Sequence, residues 1–540
     1  MTRPDADPVT PHTDPVTPAQ SIEAPTPPAG FPAASRAAPA DDLAVETPWR
    51  RLDPRMLVVG PLGNLAGLLP FVLILLITGQ GDLSRLWYAA GAAVVVVLFG
   101  VLRWRTTRYR ITDERVELHT GLFNRQRRSV PRDRIRTVDT TAKLLHRLFG
   151  LSVVQVSAAA GAGQDDAGLS LDAVGKPEAE RLRLALLTRS RAVSAVPTPA
   201  GPQEIAAQQA EELARLNWAW IRFAPLTVSS LVAVGAFVGA LFNIVGDVGL
   251  SPGDLVDTAG DRFAMSLLLA VLVLVAALVG IAVAGAMLLF AERWFGYRLT
   301  REPDGTLRVR RGLLTRRSLS VAEERLRGVE LSEPALLRLG RGGQAKAVST
   351  GLSGGGEGGV LGPPAPIAEG HRLAAAVLRD GPVTRTPLRR HPRAALVRRL
   401  NRAVGGAVVL VALLWLLDVA LFGTGLGPVA LLLLPLAALV GYDRWRNLGH
   451  ALTERYLVAR HGSLLRRTVV LQRGGVIGWT LRQSVFQRRS GLVTLTAVTA
   501  AGDGGYPVVD IAAADGAALA DAAVPGLLAP FLAGAPHPGR

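Results

Sequence analysis

Cysteine is absent from this 540-residue chain, aromatic residues make up only 5% of it, and acids are outnumbered by bases, 43 to 60. Without thiols there are no disulfides, thiolate zinc sites, iron–sulfur clusters or cysteine nucleophiles. A cysteine-free chain suits any compartment, so this does not localise it. A secretion signal is also missing: the first 48 residues mix both charges, and no apolar stretch appears before residue 56. The N-terminus is therefore expected to stay in the cytoplasm.

Catalytic and ligand motifs are scarce as well. His119, His146, His371, His391, His450 and His461 stand singly, without H-E-x-x-H or other ligand spacing, and read as surface or turn residues. "GLSGG" at residues 351–355 formally matches G-x-S-x-G around Ser353. That elbow requires a helix straight after the serine, whereas "GGGEGGVLGPP" follows, so a loop is expected. Gly175 and Lys176 are followed by Pro177 and preceded by no glycine-rich cradle, which excludes a P-loop. No enzyme, cofactor or metal centre is expected.

What the chain does contain is charge and grease together: a formal charge of +17 with a mean hydropathy of +0.29. Two such properties rarely share a segment, so they are expected in different ones. Residues 1–48, rich in Pro, Ala and Thr with a repeated "DPVTP", bury too little apolar surface to order and read as a disordered tail.

A bilayer core of about 30 Å takes roughly 20 apolar helical residues. Residues 56–78, 86–102, 223–245 and 263–291 qualify, and 403–442 is long enough for two spans joined at "FGTGLGP". Six spans in three hairpins result. Asp418 is the one acid inside them and reads as interfacial; Gly235-x-x-x-Gly239 suits close helix packing. Arginines crowd the outer flanks of every hairpin: Arg50, Arg51 and Arg55, then Arg103, Arg105, Arg108 and Arg110, and likewise later. The hairpin tips are neutral or acidic, with Asp247, Asp254, Asp257 and Asp261 in the second. The positive-inside rule then turns every tip outward and leaves all large segments in the cytoplasm.

Each hairpin is followed by a similar stretch: "YRITDERVELHTGLFNRQRRSV", "YRLTREPDGTLRVRRGLLTRRSLSV" and "HALTERYLVARHGSLLRRTVVL". All three alternate as strand, turn, strand around Gly121, Gly312 and Gly462, where a hairpin turn needs positive φ. Each continues into a further apolar stretch and ends in a helix-like tail such as "KPEAERLRLALLTR". Repetition on this scale argues for duplicated small domains.

The runs Tyr-x-[Ile/Leu]-Thr, Gly-Leu-[Phe/Leu], "RDRIRTVD" and "LHRLFGL" resemble the bacterial pleckstrin-homology-like (PH-like) domain, and the layout is similar to YdbT-type membrane proteins with several copies. The resemblance is good over residues 103–175, weaker over 293–352 and weakest over 446–502. It implies three PH-like β-sandwich or partial-barrel domains, each closed by a helix, combined with six membrane spans. The expected organisation is a tail at 1–48, hairpins at 49–102, 218–292 and 386–442, a linker or amphipathic helix at 191–217, and PH-like domains at 103–190, 293–385 and 443–540. The second copy has "EERLRGVE" for "RDRIRTVD" and a glycine-rich insertion; the third, with "QRGGVIGWT", is degenerate.

Arg125, Arg127, Arg128, Arg132, Arg134 and Arg136 are the candidate headgroup or partner-binding residues. Near an anionic leaflet each basic residue contributes about 1 kcal/mol. Topogenic charge and solvated strand faces are the plainer reading of them, and a surface for headgroups or an acidic partner is the functional one. No nucleic-acid motif accompanies them. The expected function is non-enzymatic: a multi-pass cytoplasmic-membrane protein whose PH-like domains bind a partner, another copy or anionic headgroups, as scaffold or envelope-protection factor. The resemblance implies a smaller PH-like-domain membrane protein as partner. The rival expectation is an exporter or channel subunit with regulatory PH-like domains.

Overall fold

The computed structural model describes residues 49–60, 86–112, 114–121, 125–132, 135–158, 168–192, 210–227, 267–351, 359–422 and 427–528, with Leu62, Gly235 and Gly239 singly. The tail expected at 1–48, residues 63–85 of the first hairpin and Ser353 lie outside these residues.

In the first unit, β1 (Arg50–Arg51), β2 (Arg108–Ile111), β3 (Arg115–Thr120) and β4 (Gln126–Pro131) form an antiparallel sheet in that order. Then come β5 (Ile135–Ala142), the short helix Leu144–Leu148, β6 (Leu151–Ala158), β7 (Gly168–Gly175) and the helix Lys176–Ala192. The second unit repeats the plan with β8 (Glu211–Arg215), β9 (Arg298–Arg301), β10 (Thr306–Arg311), β11 (Arg316–Ala322), β12 (Leu326–Pro334), the helix Ala335–Leu339, β13 (Gly342–Ser349), β14 (Ala365–Pro366) and the helix Ile367–Leu378. The third has β15 (Gly449–Leu452), β16 (Tyr456–His461), β17 (Leu465–Gln472), β18 (Gly478–Arg482), the helix Val485–Arg489, β19 (Leu492–Val498), β20 (Gly505–Ala512) and the helix Ala513–Ala523. The glycine turns are as expected: Gly121, Gly312 and Gly462 have φ of 101°, 107° and 100°. A Cβ at Gly312 or Gly462 would stand 1.9 Å from a backbone carbonyl oxygen, so the turn admits only glycine.

Alternation along these strands sends one face inward. Val116, Leu118, Val138, Val154, Leu182 and Leu186 share the first core. Leu299, Leu307, Val329, Leu331, Leu373 and Val377 belong to the second, and Leu457, Val469, Leu495, Val508 and Leu519 to the third. Each core lies between the two strand groups of one unit, under its closing helix.

The sheets do not respect the units. β5 pairs antiparallel with β11 from Thr137↔Val321 to Ala142↔Arg316, fusing the late strands of the first unit with the early strands of the second into a seven-stranded sheet. β12 pairs with β17 from Gly328↔Leu471 to Pro334↔Leu465, which builds a six-stranded sheet across the second and third. Ion pairs reinforce the second seam: Arg466 grips Glu333, and Arg467 lies 3.6 Å from Glu330. Residues 211–215, expected in a linker or amphipathic helix, are instead strand β8 at the rim of the seven-stranded sheet. The pairing offered by β9 decides against helix there, and it turns Leu213 and Ala214 into the core.

Three stretches are long and apolar enough to cross a bilayer among the described residues: Ala276–Trp294, Arg393–Ala420 and Gly427–Arg446. Six are therefore not all seen. A further helix, Leu86–Thr106, leads into β2. The span expected from residue 223 does not begin there. Trp218–Leu226 is a 3₁₀ helix with Phe223 and Ala224 buried, and Phe223 fills the slot left by Gly340 and Gly342, whose added Cβ would touch its ring at 3.6 and 2.6 Å. Asp418 follows the helix Arg393–Leu417, where its carboxylate accepts the Gly427 N–H at 2.9 Å and pins the turn between two spans.

The third unit is locked to its membrane helix by a buried polar knot. Asp510, fully buried at φ 59°, accepts from Arg398 (2.6 Å), Arg399 (2.9 Å) and Gln487 (2.9 Å). Beside it, His391 Nδ1 donates to the Asp510 carbonyl oxygen at 3.2 Å, which leaves Nε2 to accept from His450 Nδ1 at 3.1 Å. The roles follow from the fixed carbonyl acceptor. Burial, then the neighbouring His391 and Arg389, bring His450 down to about 4; burial, with Arg467 and Arg399 near, does the same to His461. Below the ordinary histidine value of 6.5 the unfolded chain takes up protons that the folded unit refuses, so stability falls with pH. The third unit should lose on the order of 2–3 kcal/mol per histidine between about pH 6.5 and 4. Hydrogen exchange of β19 and β20 across that window checks it; unchanged protection at pH 4.5 would contradict the burial of these rings.

Candidate functional site

The first seam carries a cleft of about 1200 Å³ on one face of the seven-stranded sheet. β5 and the short helix Leu144–Leu148 supply one wall, the start of the helix Lys176–Ala192 another, and β10, β11 and the end of the span Leu267–Trp294 the rest. Lys176, Arg147, Arg298, Arg308, Arg310, Arg311, Arg316 and Arg317 line it, facing a single acid, Glu180. That acid is already engaged. Arg308 reaches it with two bonds of 3.0 Å, and Arg183 adds a contact at 3.0 Å. Burial pushes the Glu180 carboxyl up, yet these bonds outweigh it and hold it below the usual carboxylate range. Arg311 stacks over Trp294, 4.5 Å from the ring centroid. Lys176, Arg298, Arg310 and Arg316 have no ion-pair partner among the described residues.

The rim is apolar. Leu144, Leu148 and Phe295 line the cleft and are exposed, as are Leu313 and Leu314 in the adjoining turn. That turn is fixed to the span end: the Leu313 N–H donates to the Glu292 carbonyl at 2.8 Å, and Thr315 N–H reaches the Glu292 carboxylate at 3.4 Å. Arg147 donates to the Leu313 carbonyl and so ties the short helix to the same place. The pattern recurs in the later units. Leu339, Leu464, Leu465, Val485 and Phe486 are exposed on the equivalent short helices and turn. Asp443, near the end of the helix Leu433–Arg446, holds Arg338 and Ser463 at 2.8 Å. A cation-lined pocket opening beside leucines at a span end can take an anionic phosphate group and leave attached alkyl chains against the rim.

The arginines singled out in the sequence lie elsewhere. Arg125, Arg127 and Arg128 are exposed at and before β4. Arg132 is structural, donating to the carbonyls of Thr112 (3.3 Å) and Ala185 (2.6 Å), which joins the β2–β3 turn to the closing helix. Arg134 lies outside the described residues, and Arg136 sits on β5. The cleft residues were missed because the two walls are more than a hundred residues apart, and only the β5–β11 pairing brings them together. His391 and His450, read as surface or turn residues, are buried and meet. No group of three or more His, Asp or Glu able to hold a metal occurs among the described residues.

Residues 59–190, 240–380 and 403–522 each match a family described as the bacterial PH domain. The chain is similar to the transmembrane protein YdbT of Bacillus subtilis (strain 168), at 23% identity over 452 residues, 79% of this chain and 87% of that protein. It is also similar to the transmembrane protein YdbS of the same organism, at 30% over 104 residues, 19% of this chain and 61% of that protein. No solved structure matches it significantly.

Proposed function

The chain belongs to the bacterial PH domain family, and from that premise we propose a non-enzymatic membrane platform that binds anionic phospholipid headgroups in the cleft of its first seam. The observation that carries this reading is the set of four unpaired bases, Lys176, Arg298, Arg310 and Arg316, around one acid that is already neutralised. The exposed leucines at the span ends support a membrane-facing mouth. In this reading the chain spans the membrane six times, all three PH-like domains lie on the cytoplasmic side, and the seams hold them as one scaffold against the inner leaflet. A transport path is less well supported: the spans offer one acid, Asp418, and it is consumed in capping a turn.

Purified protein in nanodiscs tests the proposal. Phosphatidylglycerol should co-purify in preference to phosphatidylcholine, as read by native mass spectrometry. The variant K176A/R310A/R316A should weaken that preference at least tenfold, since three near-surface charges contribute about 1 kcal/mol each. A free-phosphate site would instead retain inorganic phosphate from lipid-free detergent. Unchanged phosphatidylglycerol retention in the variant would overturn the assignment.

A further inference from the structure

The two seams obey one rule, and the first unit leaves its half of that rule open. In the second and third units, the strand after the glycine turn (β11, β17) accepts the first late strand of the unit before it (β5, β12). Counting from the turn glycines aligns Arg125, Arg316 and Arg466, and after them Arg128, Leu319 and Val469. The ladders agree, since Thr120↔Gln126, Arg311↔Arg317 and His461↔Arg467 are the matching pairs. The strand of the first unit equivalent to β11 and β17 is β4. It ends the four-stranded sheet, and no strand pairs with its outer edge among the described residues. Gln126, Arg127, Arg128 and Ser129 are all exposed there.

The incoming strands share one acid position, and β12 adds a second where β5 has Ala142 opposite Arg316. Asp139 of β5 stands opposite Leu319, and Glu330 of β12 opposite Val469. Glu333 stands opposite Arg466 and forms an ion pair with it. Transferred to β4, those positions face Arg128 and Arg125. The third unit's own equivalent of β5 and β12, strand β18 at an edge of its sheet, is a poor occupant. It presents Thr480 where the others have Asp139 and Glu330, and Arg482 where they have Thr141 and Ser332. A second copy would therefore set Arg482 opposite Gln126 and diagonal to Arg128, with a threonine where the other incoming strands carry an acid.

We propose that β4 is a docking edge for an antiparallel strand of a separate PH-like domain, one that carries carboxylates opposite Arg125 and Arg128. The contact extends the four-stranded sheet as the seams inside the chain extend theirs, with main-chain bonds giving affinity and the carboxylates giving choice of partner. Exposed arginines and the terminal Pro131 guard the edge against neutral or basic strands. This surface is distinct from the headgroup cleft and does not depend on it.

The test uses the full chain in detergent and a peptide copying β12, "LRGVELSEP", as an acidic strand of known seam geometry. The peptide should protect the outward-pointing backbone amides within residues 126–130 from hydrogen exchange. Its counterpart with both glutamates changed to lysine should bind at least tenfold more weakly. R125E/R128E should reverse that order, which a merely sticky edge would not do. Since the chain has no cysteine, the variant Q126C/R482C also reports on self-pairing. A disulfide between copies would overturn the proposal in favour of head-to-tail assembly, and so would failure of the acidic peptide to protect β4.

Discussion

Changing Gly328 to alanine is expected to part the second and third PH-like domains while leaving each folded. A Cβ at this position would lie 2.0 Å from the Val470 carbonyl oxygen, and that oxygen belongs to the backbone of β17. Side chains swing aside cheaply; a ladder strand does not. Relief requires the two strands to separate along the six-stranded sheet, at a cost of about 3 kcal/mol or more. The three atoms nearest the new methyl all belong to the β17 backbone, so the internal sheet β18–β20 should keep its exchange protection. The amides of β12 and β17 should lose theirs by a hundredfold or more, since each 1.4 kcal/mol is a factor of ten. Equal protection of the seam in wild type and variant would mean that the strands are not paired through Gly328.

Asp510 gives the second large effect. It sits at a bulge in β20 with φ 59°, and Ala173 occupies the matching bulge of β7 at φ 61°. The first unit thus shows that alanine accepts this backbone, so Asp510→Ala tests charge rather than strain. Removing the carboxylate leaves Arg398 and Arg399, both only 11% exposed, facing each other without a counter-charge. One-sided removal from a buried pair costs about 3–5 kcal/mol. The expected result is limited proteolysis between the third domain and its membrane helix under conditions in which the wild type resists. Asp510→Asn keeps the shape and should fall between the two. A neutral Asp510→Ala would show that water already reaches the arginines.

Both effects depend on features that sequence patterns disclose unevenly. The three glycine turns, the closing helices and the apolar spans were legible because each is a local rule: a positive φ, a 3.6-residue period, a run of about 20 greasy residues. The family resemblance followed from motifs within single repeats. The seams were not legible, since edge pairing is made by backbone groups that every residue carries. The acids that meet arginines across the seams, Glu330 and Glu333 in β12 and Glu180 in the first closing helix, left a side-chain trace, and that trace has meaning once the strands are known to be neighbours. The headgroup cleft was hidden for the same reason, its walls being joined by such a seam. Phe223 misled because an apolar stretch beside a span reads as part of it, whereas two glycines at 340 and 342 had left it a slot in a soluble domain.

The shared sheets also bear on how the chain is made. β5 is complete soon after the first domain emerges, but its partner β11 ends at Ala322. At 5–20 residues per second, the roughly 180 intervening residues take about 10–35 s to synthesise. Through that interval the nascent chain holds a finished domain with an unpaired strand, and a membrane-spanning helix must insert before relief arrives. The wait repeats for β12 until β17 is made. A product interrupted in either interval carries a bare edge of the kind that recruits other strands, so premature termination here yields a sticky species rather than a harmless shorter protein.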